Sequence, residues 1–264
     1  MSLIARAAGL LRNILAEPET AGLDIDAPEL TVRRRELIRR RKFLNAIYDE
    51  WYSTIASQIP RSNEGVLEIG SGGGFVQSFI PDAITSDVLP LPGVDIALDA
   101  ERLPFADRSL RAVIMTNVFH HVPDVNRFLS EFTRCARSGG TLVMIEPWVT
   151  RWSRVVYTKL HHEPFDPDAK EWAFDPGRPL SDANGALPWI VFARDRKLFA
   201  NRFPALRIEM IKPLMPMRYL VSGGVSMRSL SPGWTYSAWK KIDEALTRLS
   251  PETAMFALIV VRRI

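Results

Sequence analysis

Residues Val66 to Phe75 read VLEIGSGGGF, a short apolar run that ends in an acid and turns through four glycines. The run predicts a strand over Gly65 to Ile69. Gly70, Gly72 and Gly74 alternate behind it, and without side chains the backbone can bend tightly and come close to a ligand. The bend is expected to open a short helix, Phe75 to Ile80, cut by Pro81, and the free amides of such a helix favour an anionic group. Outward from this stretch, apolar runs predict strands at Ala83 to Ser86, Ile96 to Leu98, Arg111 to Asn117 and Thr141 to Glu146, with a helix at Asp124 to Ala136. Strands alternating with turn-and-helix segments define an α/β fold, a doubly wound parallel sheet covered on both faces.

After Pro147 the rhythm is lost until a helix near Pro188 to Phe203, a strand near Leu206 to Ile211, a helix near Trp234 to Leu249 and a last strand at Met255 to Val261. The stretches 148–187 and 212–233 are too long for ordinary turns and are expected to form inserts that cap the acceptor side. Upstream, residues 2–16 read as a short amphipathic helix. Pro28 to Ile59 reads as one or two helices, with Leu37, Phe43, Leu44, Ile47, Trp51 and Ile55 at helical spacing. The chain therefore divides into a helical extension over 1–60 and an α/β domain over 61–264. No internal repeat or low-complexity segment interrupts it.

A glycine loop alone is a weak signal, and the residues that follow it carry the weight. Asp87 ends the second strand, where a carboxylate can accept from both ribose hydroxyls. Asp99 and Ala100 end the third in DAERLPFAD, the fourth ends in MTNVFHHV, and GGTLVMIEP forms the fifth. In this order, over about residues 64–147, the chain resembles the class I S-adenosylmethionine-dependent methyltransferases of the small-molecule, type 11-like kind. That resemblance implies a Rossmann-like seven-stranded sheet in the order 3-2-1-4-5-7-6 with its last strand antiparallel. It implies S-adenosylmethionine as cofactor and methyl transfer to a small-molecule acceptor. It further implies that Glu68, Gly70, Ser71 and Gly72 cradle the methionine end, Asp87 the ribose, and Asp99 with Ala100 the adenine. Asn117 and Val118 would close over the donor near the sulfonium.

A hydroxyl acceptor needs a base, and the candidates by position are His161, His162, Glu163 and Glu146, with His120 ranked behind them. His120 and His121 resemble a His-His pair of the same family, although capping and packing is the plainer role for at least one of them. His161, His162 and Glu163 belong to HHEPFDP in the long insert. No Cys or His cluster has zinc-site spacing, so no metal site is assigned. With LSDANGALPW following, this insert also resembles bacterial methyltransferases acting on glycans or glycan-lipid intermediates, which implies a hydroxyl of that kind.

Two other readings stay open: an NAD(P)-binding oxidoreductase and a non-catalytic cofactor-binding protein. Against the first, Phe75 stands where a dinucleotide loop wants its third glycine, and the fourth strand lacks an Asn-Ala-Gly end. Tyr236 and Lys240 have the spacing of the catalytic pair of short-chain dehydrogenases but lie beyond the core strands, and are read as a chance match.

Composition narrows the partners. The formal charge is +4, yet seven of the ten residues from Arg33 to Lys42 are basic. Such a run is more often a solvated helix face than a nucleic-acid, phosphate or peripheral membrane contact. Nucleic-acid methylation gains nothing further, because the fourth strand does not end in an Asn/Asp-Pro-Pro-aromatic loop and Cys135 is not preceded by proline. One cysteine excludes an internal disulfide, and the longest apolar runs are far short of the roughly 20 residues of a membrane span. With Arg6 and Arg12 in the first stretch, no cleaved leader is expected and a cytoplasmic location fits. Trp148, Trp152, Trp172, Trp189, Trp234 and Trp239 concentrate in the inserts and the C-terminal helix, where packing is their default role. Nothing in the chain fixes its oligomeric state.

Overall fold

Side chains alternate along β1 (Gly65–Ile69), and so neighbouring residues of one strand join different layers. Leu67 and Ile69 enter one core and Val66 the other. The computed structural model describes residues 15–20, 24, 27–159, 163–174, 177 and 182–264. Its sheet adds β2 (Ala83–Asp87), β3 (Ile96–Ala97), β4 (Leu110–Thr116), β5 (Ala136–Pro147), β6 (Leu206–Leu214) and β7 (Phe256–Arg263). The strand order is β3-β2-β1-β4-β5-β7-β6. β1 to β5 pair in parallel, whereas β7 runs antiparallel to both β5 and β6. This is the order that the resemblance implied.

One face carries two N-terminal helices, α1 (Pro28–Arg40) and α2 (Lys42–Ala56). Proline at the start of α1 suits a position whose amide needs no partner, and extended backbone at Arg41 separates the two helices. Phe43, Leu44, Ile47, Trp51, Tyr52 and Ile55 of α2 are buried against Val66, Ala112, Ile114, Val143 and Ile145. At about 1.5–3 kcal/mol for each large side chain, this burial contributes on the order of 10 kcal/mol before entropy. The helices are thus a layer of the same core. On the other face α3 (Val125–Cys135) starts under the Asp124 carboxylate, which accepts from the Asn126 and Arg127 amides at 2.9 and 3.3 Å. It buries Phe128, Leu129 and Phe132, and Cys135 is buried with them.

The structure departs from the sequence expectations in four places. The helix expected over Phe75 to Ile80 is a single 3-10 turn, Val76–Ser78, because α1 and Tyr52 already fill the space beside the loop. The insert 148–187 begins with a helix, α4 (Arg151–Lys159), capped by Thr150, whose hydroxyl accepts the Ser153 amide while the Ser153 hydroxyl accepts the Thr150 amide. The stretch read as one helix near Pro188 to Phe203 is α5 (Leu187–Trp189), a π-helical segment Ile190–Arg194 and α6 (Arg196–Arg202). β6 runs on to Leu214, so the second insert is shorter than its sequence implied and contains α7 (Arg218–Ser222). Most of the helix expected over residues 2–16 lies outside the described residues. Among those residues, no helix is long and apolar enough to cross a membrane.

The second insert is tied to the N-terminal helices and to the C-terminal helix by one buried cation. Arg218, 3% exposed, pairs through Nε with Asp243 at 2.8 Å and through both terminal nitrogens with Glu50 at 2.8 and 3.0 Å. Asp243 sits on α8 (Tyr236–Leu249) and also accepts the Met217 amide. Tyr236 and Lys240 contact the same Glu50 at 2.8 and 2.9 Å. Their dehydrogenase-like spacing therefore serves a structural network. Arg218→Met should leave the buried Asp243 carboxylate without its cation and lower the unfolding free energy by about 3–5 kcal/mol in urea titration; a loss below about 1 kcal/mol would contradict this role.

Candidate active site

The bend after β1 is held from every side. Gly70 has φ +68°, and a Cβ there would lie 2.4 Å from Val118. A Cβ on Gly73 would meet the α1 backbone at 3.1 Å, and one on Gly74 the Tyr52 hydroxyl at 2.1 Å. The amides of the bend are turned inward: Ser71 donates to the Ser86 carbonyl, Gly74 to the Ser71 carbonyl, and Gly72 to Asp87 Oδ2 at 3.0 Å. A single 3-10 turn, Val76–Ser78, follows the bend in place of the helix expected there. Arg35 completes the clamp by donating to the Gly72 carbonyl at 2.8 Å.

A cavity of about 1110 Å³ opens beside this bend. Gly70, Gly72, Asp87, Asp99, Ala100, Asn117 and Val118 line it, as the sequence led one to expect. Glu68 and Ser71 do not; they stand behind the loop. Glu68 is 2% exposed, with the Ser71 and Tyr52 hydroxyls bonded to its carboxylate and Oε2 buried without a partner. Burial pushes it up to about 7. Asp87 accepts from the Gly72 and Leu89 amides, and burial nonetheless raises its carboxyl above the usual range. Asp99 fixes the next turn by accepting the Glu101 amide at 2.8 Å.

Sequence reasoning missed the contribution of α1. Thr31 and Arg34 line the cavity beside the glycine bend, and the Arg34 Nε is buried with no partner among the described residues. The basic run is therefore not one solvated face. Arg33, Arg39 and Arg40 are exposed, Arg34 and Arg35 turn to the loop, and Arg41 reaches the Gly224 and Met227 carbonyls and Glu17. Helical geometry makes this split, since ten consecutive residues sweep all sides of a helix.

The opposite end of the cavity is built from the tips of β4 and β5. Asn117 adopts φ +57°, a left-handed conformation that asparagine tolerates, and so turns the chain out of β4. The fully buried Glu146 then ties the two tips together, accepting the Val118 and Phe119 amides at 2.8 and 2.9 Å and pairing with His120 Nδ1 at 2.7 Å. On its far side His120 Nε2 lies 3.5 Å from Glu163, and His121 Nε2 lies 4.0 Å from the same carboxylate. Burial works against a charge on His120, but the hydrogen bonds to Glu146 and Glu163 outweigh it and lift the ring to about 9. Burial and the neighbouring His120 push His121 down to about 4. The structure thus joins Glu146, Glu163 and His120 into one chain, while His161 and His162 lie outside the described residues.

Residues 67–144 match the family model described as Methyltransferase domain, and the chain carries a class I S-adenosylmethionine-dependent methyltransferase domain. S-adenosylmethionine is the cofactor of that family. Among curated proteins the chain is similar to phthiotriol/phenolphthiotriol dimycocerosates methyltransferases. The Mycobacterium ulcerans protein is 33% identical over 110 residues, which are 35% of this chain and 41% of that one. The Mycobacterium tuberculosis protein is 32% identical over 114 residues, 36% and 42% of the two chains. The match spans about two fifths of the length of these relatives. Among solved structures, geranyl diphosphate C-methyltransferase from Streptomyces coelicolor aligns over 100% of this chain and 99% of its own at 12% identity, with TM-score 0.50. A chain of the complex between the Haloferax volcanii Trm112 methyltransferase activator and its partner methyltransferase aligns over 88% and 93% at 15% identity, with TM-score 0.52. These two likenesses concern the fold.

Glu68 yields a test of the loop's electrostatics. Its folded value of about 7 exceeds its ordinary 4.5, so its contribution to stability is complete below about pH 4.5 and is lost as pH rises through 7. Relative to the native chain, Glu68→Gln should gain about 2–3 kcal/mol between about pH 5 and pH 8, read by denaturation at each pH. A difference that does not change with pH would contradict the raised value.

Proposed function

We propose that this chain transfers the methyl group of S-adenosylmethionine to a hydroxyl on a lipid-like acceptor. The observation that carries the reading is a single cavity with two chemically distinct ends, the glycine bend with Asp87 at one and the Glu146–His120–Glu163 chain at the other. Its volume of about 1110 Å³ exceeds what one small ligand needs, and Tyr157, Tyr219, Leu220 and Phe256 supply apolar wall beyond the donor end. The names of the mycobacterial relatives, which give phthiotriol and phenolphthiotriol dimycocerosates as substrates, favour the same kind of acceptor.

The residues present fit the donor. Asp87 at the tip of β2 suits ribose hydroxyls, Asp99 and Ala100 at the tip of β3 suit adenine, and Gly70 with Gly72 leaves room for the backbone to approach. Arg34, with its unpartnered Nε, is a cation of the right kind for an amino-acid carboxylate. Bound there, S-adenosylmethionine supplies an electrophilic methyl group on a cationic sulfur. Val118 and Asn117 line the cavity between the two ends, and holding the partners in line there is worth roughly 7–11 kcal/mol. Glu163 lies on the cavity wall and takes the hydroxyl proton; His120 positions it, and Glu146 positions His120.

The test is a reaction with methyl-labelled donor and a panel of long-chain alcohols, phenols and glycans. The label should appear in an organic-extractable ether, with one S-adenosylhomocysteine released per methyl. Glu163→Gln should lower turnover by about 10²–10⁴ while donor affinity is unchanged. Label entering only the glycans, or a Glu163→Gln chain of full activity, would overturn the reading.

A further inference from the structure

We propose that His120, His121 and Glu163 bind one divalent first-row transition-metal ion, open toward the acceptor end of the cavity. Each ring is tied through Nδ1 to a group that only accepts. His120 Nδ1 faces the Glu146 carboxylate at 2.7 Å and His121 Nδ1 the Asp182 carbonyl at 3.2 Å. With each Nδ1 proton held by its acceptor, both rings present Nε2 to the cavity, and an ion that binds there takes the place of the His120 Nε2 proton. Those two atoms lie 3.5 and 4.0 Å from the oxygens of one carboxylate, Glu163. A metal ion would stand where the His120 proton now faces Glu163, with His121 Nε2 as its third ligand.

The distances suit such an ion. All three ligand atoms lie within 4.8 Å of one another. Bonds of about 2.0–2.2 Å to a common ion place ligands about 3–3.5 Å apart, so the widest edge closes by up to about 1.3–1.8 Å. Adjacent histidines usually diverge, but these two belong to the 3-10 turn Phe119–His121, which holds the ring centroids 4.3 Å apart. Behind the ligands, Glu146 is wholly buried and pinned by two backbone amides, so it orients His120 as an outer carboxylate orients a metal-bound imidazole. Two imidazoles and one carboxylate suit Mn, Fe, Co, Ni or Zn better than Mg or Ca, which prefer oxygen alone.

All three residues line the cavity, and three protein ligands leave coordination positions open on that side. An acceptor oxygen occupying one of them would be oriented and made more acidic. That role rests on the function proposed above; the binding itself does not.

Chelated, metal-free protein titrated with Co(II) should bind one ion per chain with visible d–d absorption. His121→Ala and Glu163→Ala should each weaken binding at least about 10-fold. A Co(II)-soaked crystal of the native chain locates the ion by anomalous scattering whether or not the variants fold, with a peak expected between His120, His121 and Glu163. The absence of saturable binding, or a peak on His161 or His162 alone, would overturn the site. Cobalt bound at this point in a protein that transfers no methyl group would uphold the site and defeat the proposed function. Full methyl transfer by chelated protein that binds no cobalt would do the reverse.

Discussion

The whole site depends on a stretch of backbone too crowded on every side to carry side chains. Val118 presses on Gly70, the backbone of α1 on Gly73 and the Tyr52 hydroxyl on Gly74. Because these neighbours come from the tip of β4 and from the two N-terminal helices, the bend can form only when the sheet and the helical layer are both in place. The amides of Ser71, Gly72 and Gly74 are satisfied inside the protein, that of Gly72 by Asp87. What the bend offers a ligand is room and a fixed carboxylate.

That arrangement separates charge along the cavity. Arg34 and Asp87 stand at one end, a cation and a carboxylate that the proposed function assigns to the carboxylate and ribose of the donor. At the other end a buried carboxylate, an imidazole and a second carboxylate follow one another from the interior of β5 to the cavity wall. Asn117 and Val118 lie between the two ends, and the same Val118 whose methyls fill the space over Gly70 donates its amide to Glu146. Donor loop and acceptor chain are thus coupled through one residue, which is a physical reason for the distance between them to be well defined.

The sheet was legible because alternation and apolar runs are local properties. Each strand of the first five lies within a few residues of where its sequence placed it, and the strand order followed from the resemblance. The helix expected after the glycines failed for a tertiary reason, since α1 and Tyr52 occupy its space. The basic run was misread for a similar one: composition counts charges, but only the helix phase decides that Arg34 and Arg35 turn inward while Arg33 and Arg39 stay in water. Glu146 was legible as an acid at a strand end. That both its oxygens are engaged by the β4 tip and His120 needs coordinates, as does the approach of Glu163, 43 residues after His120 in the sequence, to within 3.5 Å of it.

The account stands on the donor end of the cavity, and calorimetry addresses it most directly. Titration with S-adenosylhomocysteine should show one site per chain, no heat with NAD, and an affinity at least about 10-fold weaker for Asp87→Ala, the loss of one charge-assisted pair of hydrogen bonds. Absence of heat from the native chain, or an Asp87→Ala chain that binds as tightly as the native one, would contradict it.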